Sequence, residues 1–157
     1  MSIRITSPAF EDGQPIPIKY TKDGGNVSPP VQWNALPKGT AELVLIVEDP
    51  DAPRPDPFVH WVCYKINPDA GGLPEGIEQK PNPLTGAVKA QGINDFKDVG
   101  YDGPAPPRGH GTHHYHFKLY ALDQPLEAKA KLDIRSLMDS MNGHILDSGE
   151  IVGTFER

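Results

Sequence analysis

Aspartate and histidine residues stand at the ends of three apolar segments of this sequence. Asp49 closes the apolar segment 43–47, whereas His60 and His113 each open a later one. Imidazole gains a proton close to neutral pH, and a neighbouring carboxylate can orient the ring and favour its charged form. Two imidazoles beside one carboxylate therefore predict a polar pocket that donates N–H groups to a phosphate or another small anion.

Short strands are the elements that must position these side chains. Because side chains alternate along a strand, the odd-numbered residues of 43–49 share one face, which ends in Asp49. The even-numbered residues of 60–66 share a face that begins with His60, and Tyr115 follows His113 on the apolar face of the third segment. If the first two strands pair, their connection brings Asp49 and His60 to one rim of the sheet.

The spacing of apolar segments predicts an all-β fold with minor α content. The chain has 157 residues with 16 Gly and 18 Pro, and loops rich in these two residues separate the apolar segments. We expect a single domain over residues 1–157, an antiparallel, Greek-key-like β-sandwich with a few peripheral helices. The candidate strands are residues 3–5, 17–20, 31–33, 43–47, 60–66, 114–122 and 151–155.

One helix is predicted near the carboxyl end of the chain. Asp133 can cap its first turn, and the apolar residues at 134, 137, 138 and 141 have helical spacing. Gly143 stands where a left-handed residue commonly ends a helix. We interpret this apolar stripe as core packing rather than as a binding face.

Charge and composition exclude several classes of function. Lys and Arg number 15 against 21 Asp and Glu, for a net charge of −6, and no basic stripe is present, which excludes nucleic acid as a partner. No segment is apolar over the roughly 18 residues typical of a membrane span, and the first residues do not resemble a signal peptide. We therefore expect a cytoplasmic protein. The single cysteine, Cys63, lies in an apolar segment and is predicted to be buried.

A metal-dependent enzyme is an alternative interpretation of the histidines. His110, His113, His114 and His116 lie within seven residues, and His114 and His116 alternate with the apolar face. Such a pair can bind zinc or iron, but no carboxylate follows at a useful spacing, and no His-Glu-x-x-His motif is present. Neither a Gly-x-Ser-x-Gly motif nor a phosphate-binding loop is present. We expect a non-enzymatic protein without a cofactor.

Two segments resemble the signatures of a known family. Asp49-Pro50-Asp51-Ala52-Pro53, followed by His60-Trp61, resembles the first signature of the phosphatidylethanolamine-binding proteins, also known as Raf kinase inhibitor proteins. Residues 103–115, Gly-Pro-Ala-Pro-Pro-Arg-Gly-His-Gly-Thr-His-His-Tyr, resemble the second. The resemblance extends over the whole chain, and residues 94–96, Asn-Asp-Phe, are most similar to the bacterial and archaeal branch.

The resemblance implies a rim pocket that accepts small anions and phosphorylated head groups without catalysis. Asp49, His60 and His113 fall on the pocket positions of the family. Further pocket positions correspond to Pro53, Phe58, Ala105, Pro107 and Tyr115. We also expect backbone N–H groups of Gly109 and Gly111 to be available to an anion.

The family also implies partners and one departure from its pattern. Some family members inhibit kinases or proteases, so a protein-interaction module is the alternative function, and a homodimer is expected from the resemblance. The second signature usually contains His-Arg-Tyr, whereas this chain has His113-His114-Tyr115. The usual arginine pairs with the aspartate corresponding to Asp51, and histidine would be a weaker, pH-dependent partner.

Overall fold

Two antiparallel sheets form most of the regular structure. The computed structural model describes residues 3–157, in which the strands are β1 (Arg4–Thr6), β2 (Val31–Asn34), β3 (Glu42–Asp49), β4 (Phe58–Ile66), β5 (Gly72–Leu73), β6 (Val88–Gln91), β7 (His113–Leu122) and β8 (Ile145–Phe155). One sheet has three strands in the order β1-β2-β5, and the other has five in the order β6-β4-β3-β7-β8. In the larger sheet, β3, β4 and β6 lie side by side, and β7 returns to pair with β3 on the side away from β4. This is a Greek-key order. The predicted all-β sandwich is confirmed.

The main core lies between the two sheets. Leu45 and Val47 of β3 and Phe117 of β7 belong to the same buried cluster as Val31 and Trp33 of β2. The odd-numbered residues of β3 therefore face the smaller sheet, as their alternation predicts. The buried Cys63 lies in the same cluster, and burial raises the pKa of its thiol.

The opposite face of the larger sheet is covered by a helix. The helix α1 (Ile134–Met141) buries Leu137 and Met141 against a second cluster that contains Val44 and Ile46 of β3. As predicted, Asp133 caps the helix, because its side chain accepts a hydrogen bond of 2.8 Å from the backbone N–H of Ser136. Within residues 3–157, no helix is long and apolar enough to cross a membrane.

The structure corrects the predicted strands, five of which (β1, β2, β3, β4 and β7) differ by one or two residues at an end. Two differences are larger. Residues 17–20 do not form a strand, because Pro17 starts a 3-10 turn over Ile18–Tyr20. In this turn each carbonyl group accepts a hydrogen bond from the N–H group three residues later. β8 starts at Ile145 rather than at 151, and its first half was not predicted because polar and exposed residues fill it. β5 and β6 are also additional strands, too short to give a pattern.

Candidate functional site

A cavity of about 310 Å³ opens at one end of the larger sheet, where β3 ends and β4 and β7 begin. Eight of the predicted site residues line it, namely Asp49, Pro53, Phe58, His60, Ala105, Pro107, His113 and Tyr115. Four lining residues were not predicted, namely Ala52, Arg54, Phe96 and Pro106. The structure thus brings the predicted residues together, and their binding of a ligand stays a prediction.

A bulge in β4 directs His60 into this cavity. In the pairing of β3 with β4, Val47 lies opposite Trp61 and Glu48 lies opposite Val59, so His60 is an extra residue without a partner on β3. The expected alternation, with His60 on the same face as residues 62 and 64, is therefore wrong: those residues pack in the second cluster, beneath α1. The bulge places His60 on the face that Asp49 occupies.

Asp49 and His113 form a buried pair across neighbouring strands. Their side chains are almost fully buried, with His113 Nδ1 at 2.6 Å from Asp49 Oδ2. The other carboxylate oxygen of Asp49 accepts the backbone N–H of Asp51 at 2.8 Å. Since a carboxylate can only accept, Nδ1 of His113 carries a proton. The carboxylate therefore orients one imidazole, and it does so without contacting the other.

His60 is held by the backbone of Asp102 instead. Its Nδ1 donates to the carbonyl oxygen of Asp102 at 2.8 Å, and the backbone N–H of Asp102 donates to the carbonyl of His60 at 3.0 Å. Burial lowers the pKa of His60 below its ordinary value, although the Asp102 carbonyl and the charge of Asp49 oppose this effect. A neutral ring with a proton on Nδ1 leaves Nε2 as a hydrogen-bond acceptor. The expectation of two charged imidazoles therefore does not hold for His60.

Aromatic rings form the wall around these polar groups. The ring of Phe58 is 4.7 Å from that of Phe96 and 5.1 Å from that of His60, measured between centroids. Tyr115 lies on the other side of His60, with centroids 5.2 Å apart in an edge-to-face arrangement. Burial, followed by the charge of Asp49, raises the pKa of Tyr115, so its hydroxyl stays protonated and can donate. Phe96 had no sequence signal beyond the matched segment 94–96.

Arg54 is the cation of the cavity lining. Its guanidinium group lies 5.3 Å from the centroid of the Phe58 ring and 3.4 Å from Asp95 Oδ2. A guanidinium group at the edge of an apolar cavity favours an anion. The signal that could have identified Arg54 is its place in the loop between Asp49 and His60.

The loop before β7 differs from its expected role. Gly109 and Gly111 are absent from the cavity lining, and the N–H of Gly109 donates to the carbonyl of Arg157 at 3.3 Å. The structure therefore gives no support to the expected contribution of these backbone groups. Besides the lining residues Ala105 and Pro107, this loop brings His110 against the site, with its Nδ1 2.6 Å from Nε2 of His113. The sequence pattern indicates His110 only as a candidate metal ligand.

Asp51 keeps its loop in place through the histidine that replaces the usual arginine. Its Oδ2 accepts the backbone N–H of His114 at 2.8 Å and Nδ1 of the same residue at 2.7 Å. Burial opposes ionisation, but these hydrogen bonds outweigh it and hold the pKa of Asp51 below its ordinary value. The pair of Asp51 and His114 is thus present, and one of its two hydrogen bonds comes from the backbone of His114 and does not depend on the side chain.

The clustered histidines have separate partners. His114 contacts Asp51, and His116 contacts Glu150 at 3.0 Å on the outer face of β7. His110 and His113 contact each other. Across the part of the chain that the structure describes, no three His, Cys, Asp or Glu residues are grouped so that they could hold a metal ion. This arrangement gives the metal-enzyme interpretation no support.

Comparison with known proteins gives consistent matches over the whole chain. The family model described as phosphatidylethanolamine-binding protein matches residues 6–156. UPF0098 protein PH1269 of Pyrococcus horikoshii is 43% identical over 157 residues, which are 100% of this chain and 78% of that protein. The crystal structure of CT736 from Chlamydia trachomatis, a phosphatidylethanolamine-binding protein homologue, has a TM-score of 0.88 and 37% identity, and the match covers 99% of this chain and 98% of CT736. The crystal structure of YbcL from Escherichia coli, described as a new member of the mammalian family, has a TM-score of 0.91 and 27% identity. This match covers 100% of this chain and 99% of YbcL.

Proposed function

The chain belongs to the phosphatidylethanolamine-binding protein family, and from this premise we propose that its cavity binds small anions, in particular phosphorylated head groups, without catalysing a reaction. The observation that carries the proposal is the convergence of Asp49, His60 and His113 in one aromatic-walled cavity with Arg54 in its lining. Apolar walls strengthen the electrostatic attraction of an anion to donors inside the cavity. The shape and the chemistry of the site therefore agree with a binding role.

The donors of the cavity define how a phosphate group would be held. The hydroxyl of Tyr115 and the guanidinium group of Arg54 can donate directly. Nε2 of a neutral His60 can only accept a hydrogen bond, so an anion beside it must bring a proton or cause the ring to take one up. A phosphate monoester with one remaining P–OH group satisfies this requirement. Binding is therefore tighter at lower pH.

The same residues argue against nucleophilic catalysis. Among the described residues, the lining contains no serine, threonine or cysteine, and the carboxylate of Asp49 already accepts two hydrogen bonds. A nucleophile requires an activated, accessible atom next to a general base. The hydroxyl of Tyr115 is not activated, because burial raises its pKa and keeps it protonated, which supports binding rather than turnover.

Calorimetric titration with inorganic phosphate and phosphoethanolamine tests the proposal. We expect saturable binding to the wild type, weakened at least roughly tenfold by Asp49→Asn or His113→Ala, because each change removes a charge-assisted hydrogen bond. His116→Ala is the matched control, since His116 lies on the same strand as His113 but faces away from the cavity. Unchanged affinity in both cavity variants would show that the anion binds elsewhere.

The same variants separate this proposal from the alternative of a kinase or protease inhibitor. Contact with a protein through the outer loop surface should survive Asp49→Asn, whereas anion binding should not. No feature of the described residues specifies such a partner. The expected homodimer and cytoplasmic location remain predictions.

A further inference from the structure

An exposed histidine covers the free nitrogen of a buried one. Nδ1 of His110 lies 2.6 Å from Nε2 of His113, and the two ring centroids are 4.9 Å apart. His113 is 1% exposed, whereas His110 is exposed and contributes nothing to the cavity lining. Because the other nitrogen of His113 faces Asp49, Nε2 is the only atom of this ring that can donate to a ligand.

A single proton lies between Nδ1 of His110 and Nε2 of His113. Of two ring nitrogens at this distance, one donates and the other accepts. A neutral His113 accepts from Nδ1–H of His110, and a charged His113 donates its Nε2–H to a neutral His110. In both arrangements Nε2 of His113 already has a partner.

We propose that His110 is a gate residue, which must swing into solvent before His113 can donate to an anion in the cavity. The inference rests on the proposed function and deepens it, because it names a residue that controls the site from outside the lining. Movement of His110 into solvent requires little free energy, because its exposed ring exchanges one hydrogen bond for others with water. The bound anion takes the place of His110 on Nε2.

Protonation of both rings opens the gate, because two N–H groups then face each other. The titratable and charged groups around the two rings are Asp49 and Asp51 at and just after the end of β3, His60 on β4, Tyr115 on β7, and Arg54 in the lining. Glu156 and Arg157 follow β8 and contact the loop that carries His110. Acid therefore favours the open form and the bound anion together.

Phosphate titrations of two variants at His110 test the gate. His110→Ala removes the competing contact, so at about pH 8 phosphate binds roughly two- to tenfold more tightly than to the wild type. As the pH is lowered, the two affinities should converge, because protonation of both rings breaks their contact in the wild type. His110→Asn keeps a side-chain amide that can donate or accept without titrating, so it binds like the wild type at the higher pH and more weakly at the lower. His116→Ala should follow the wild type throughout.

Ring NMR without any ligand provides an independent readout. In phosphate-free buffer at about pH 8, His110→Ala should shift the ¹⁵N resonance of His113 Nε2, and an unchanged resonance overturns the contact itself. If the wild type binds phosphate and His110→Ala shows the same affinity and pH profile, the gate is overturned but the proposed function is not. If neither the wild type nor any variant binds phosphate, the proposed function fails and the gate with it.

Discussion

At the scale of single residues, the two cavity histidines differ in what holds them. Asp49 orients His113, whereas the backbone of Asp102 holds His60. Sequence spacing predicted that these histidines lie near one carboxylate, because the strand ends are marked by residue type. It could not assign the partner of His60, because Asp102 is 42 residues away and contributes only its backbone. The protonation of each ring follows from these partners.

The buried, neutral state of His60 predicts how stability depends on pH. The pKa of this residue is lowered in the folded protein from an ordinary value of 6.5, so below about pH 6.5 the unfolded chain binds more protons. Stability is therefore retained above that pH and falls on acidification, by at most about 1.4 kcal/mol per pH unit from this residue. Urea unfolding at several pH values between about 5 and 7.5 measures the slope.

The control for this prediction is His60→Asn. Its amide can still donate to the carbonyl of Asp102 but does not titrate in this range. The variant should lose part of the dependence on pH that the wild type shows. Equal slopes for the two proteins would mean that His60 is not kept neutral by burial.

At the scale of elements, the bulge in β4 decides which way His60 points. The apolar segments correctly predicted β3, β4 and β7, and alternation correctly placed Asp49 and Tyr115 on their faces. Alternation failed for His60, because an extra residue in one strand reverses the parity and leaves no mark in composition. The polar first half of β8 shows a second limit, since its pairing with β7 requires no apolar pattern.

The segment behind His60 is fixed by a network of buried amides. Asn94, which is 1% exposed, donates to the Gly100 carbonyl and to Asp102 Oδ2, and its oxygen accepts the N–H groups of Phe96 and Asp98. Asp102 also accepts from Asn26 at 3.0 Å. The network thus connects the wall residue Phe96 with the backbone that holds His60.

Asn94→Ala should therefore destabilise the fold. The change leaves several buried groups without partners, at a cost of about 2–4 kcal/mol in the free energy of unfolding. Asn82→Ala is the matched control, because its exposed amide makes one hydrogen bond, to the carbonyl of Lys89, and should cost less than about 1 kcal/mol. Urea unfolding followed by tryptophan fluorescence measures both variants, and equal stabilities would contradict the role of the network.

At the scale of the whole molecule, the cavity is an extension of the main core. Tyr115 belongs both to the buried cluster between the sheets and to the cavity wall. On the opposite face, the second cluster beneath α1 includes residues of β3 and β4, so the strands that carry Asp49 and His60 are packed on both sides. The site is therefore held in place without a ligand, which lowers the entropic cost of binding.

The most direct test of the central claim is a histidine ring NMR titration with phosphoethanolamine near neutral pH. We predict saturable shifts at His60 and His113, because Nε2 of His60 either accepts a hydrogen bond from a P–OH group of the ligand or takes up a proton. His116 and His144, whose partners Glu150 and Asp123 lie outside the cavity lining, should not move. Saturable binding that leaves the resonances of His60 and His113 unchanged would contradict the assignment of this cavity as the anion site.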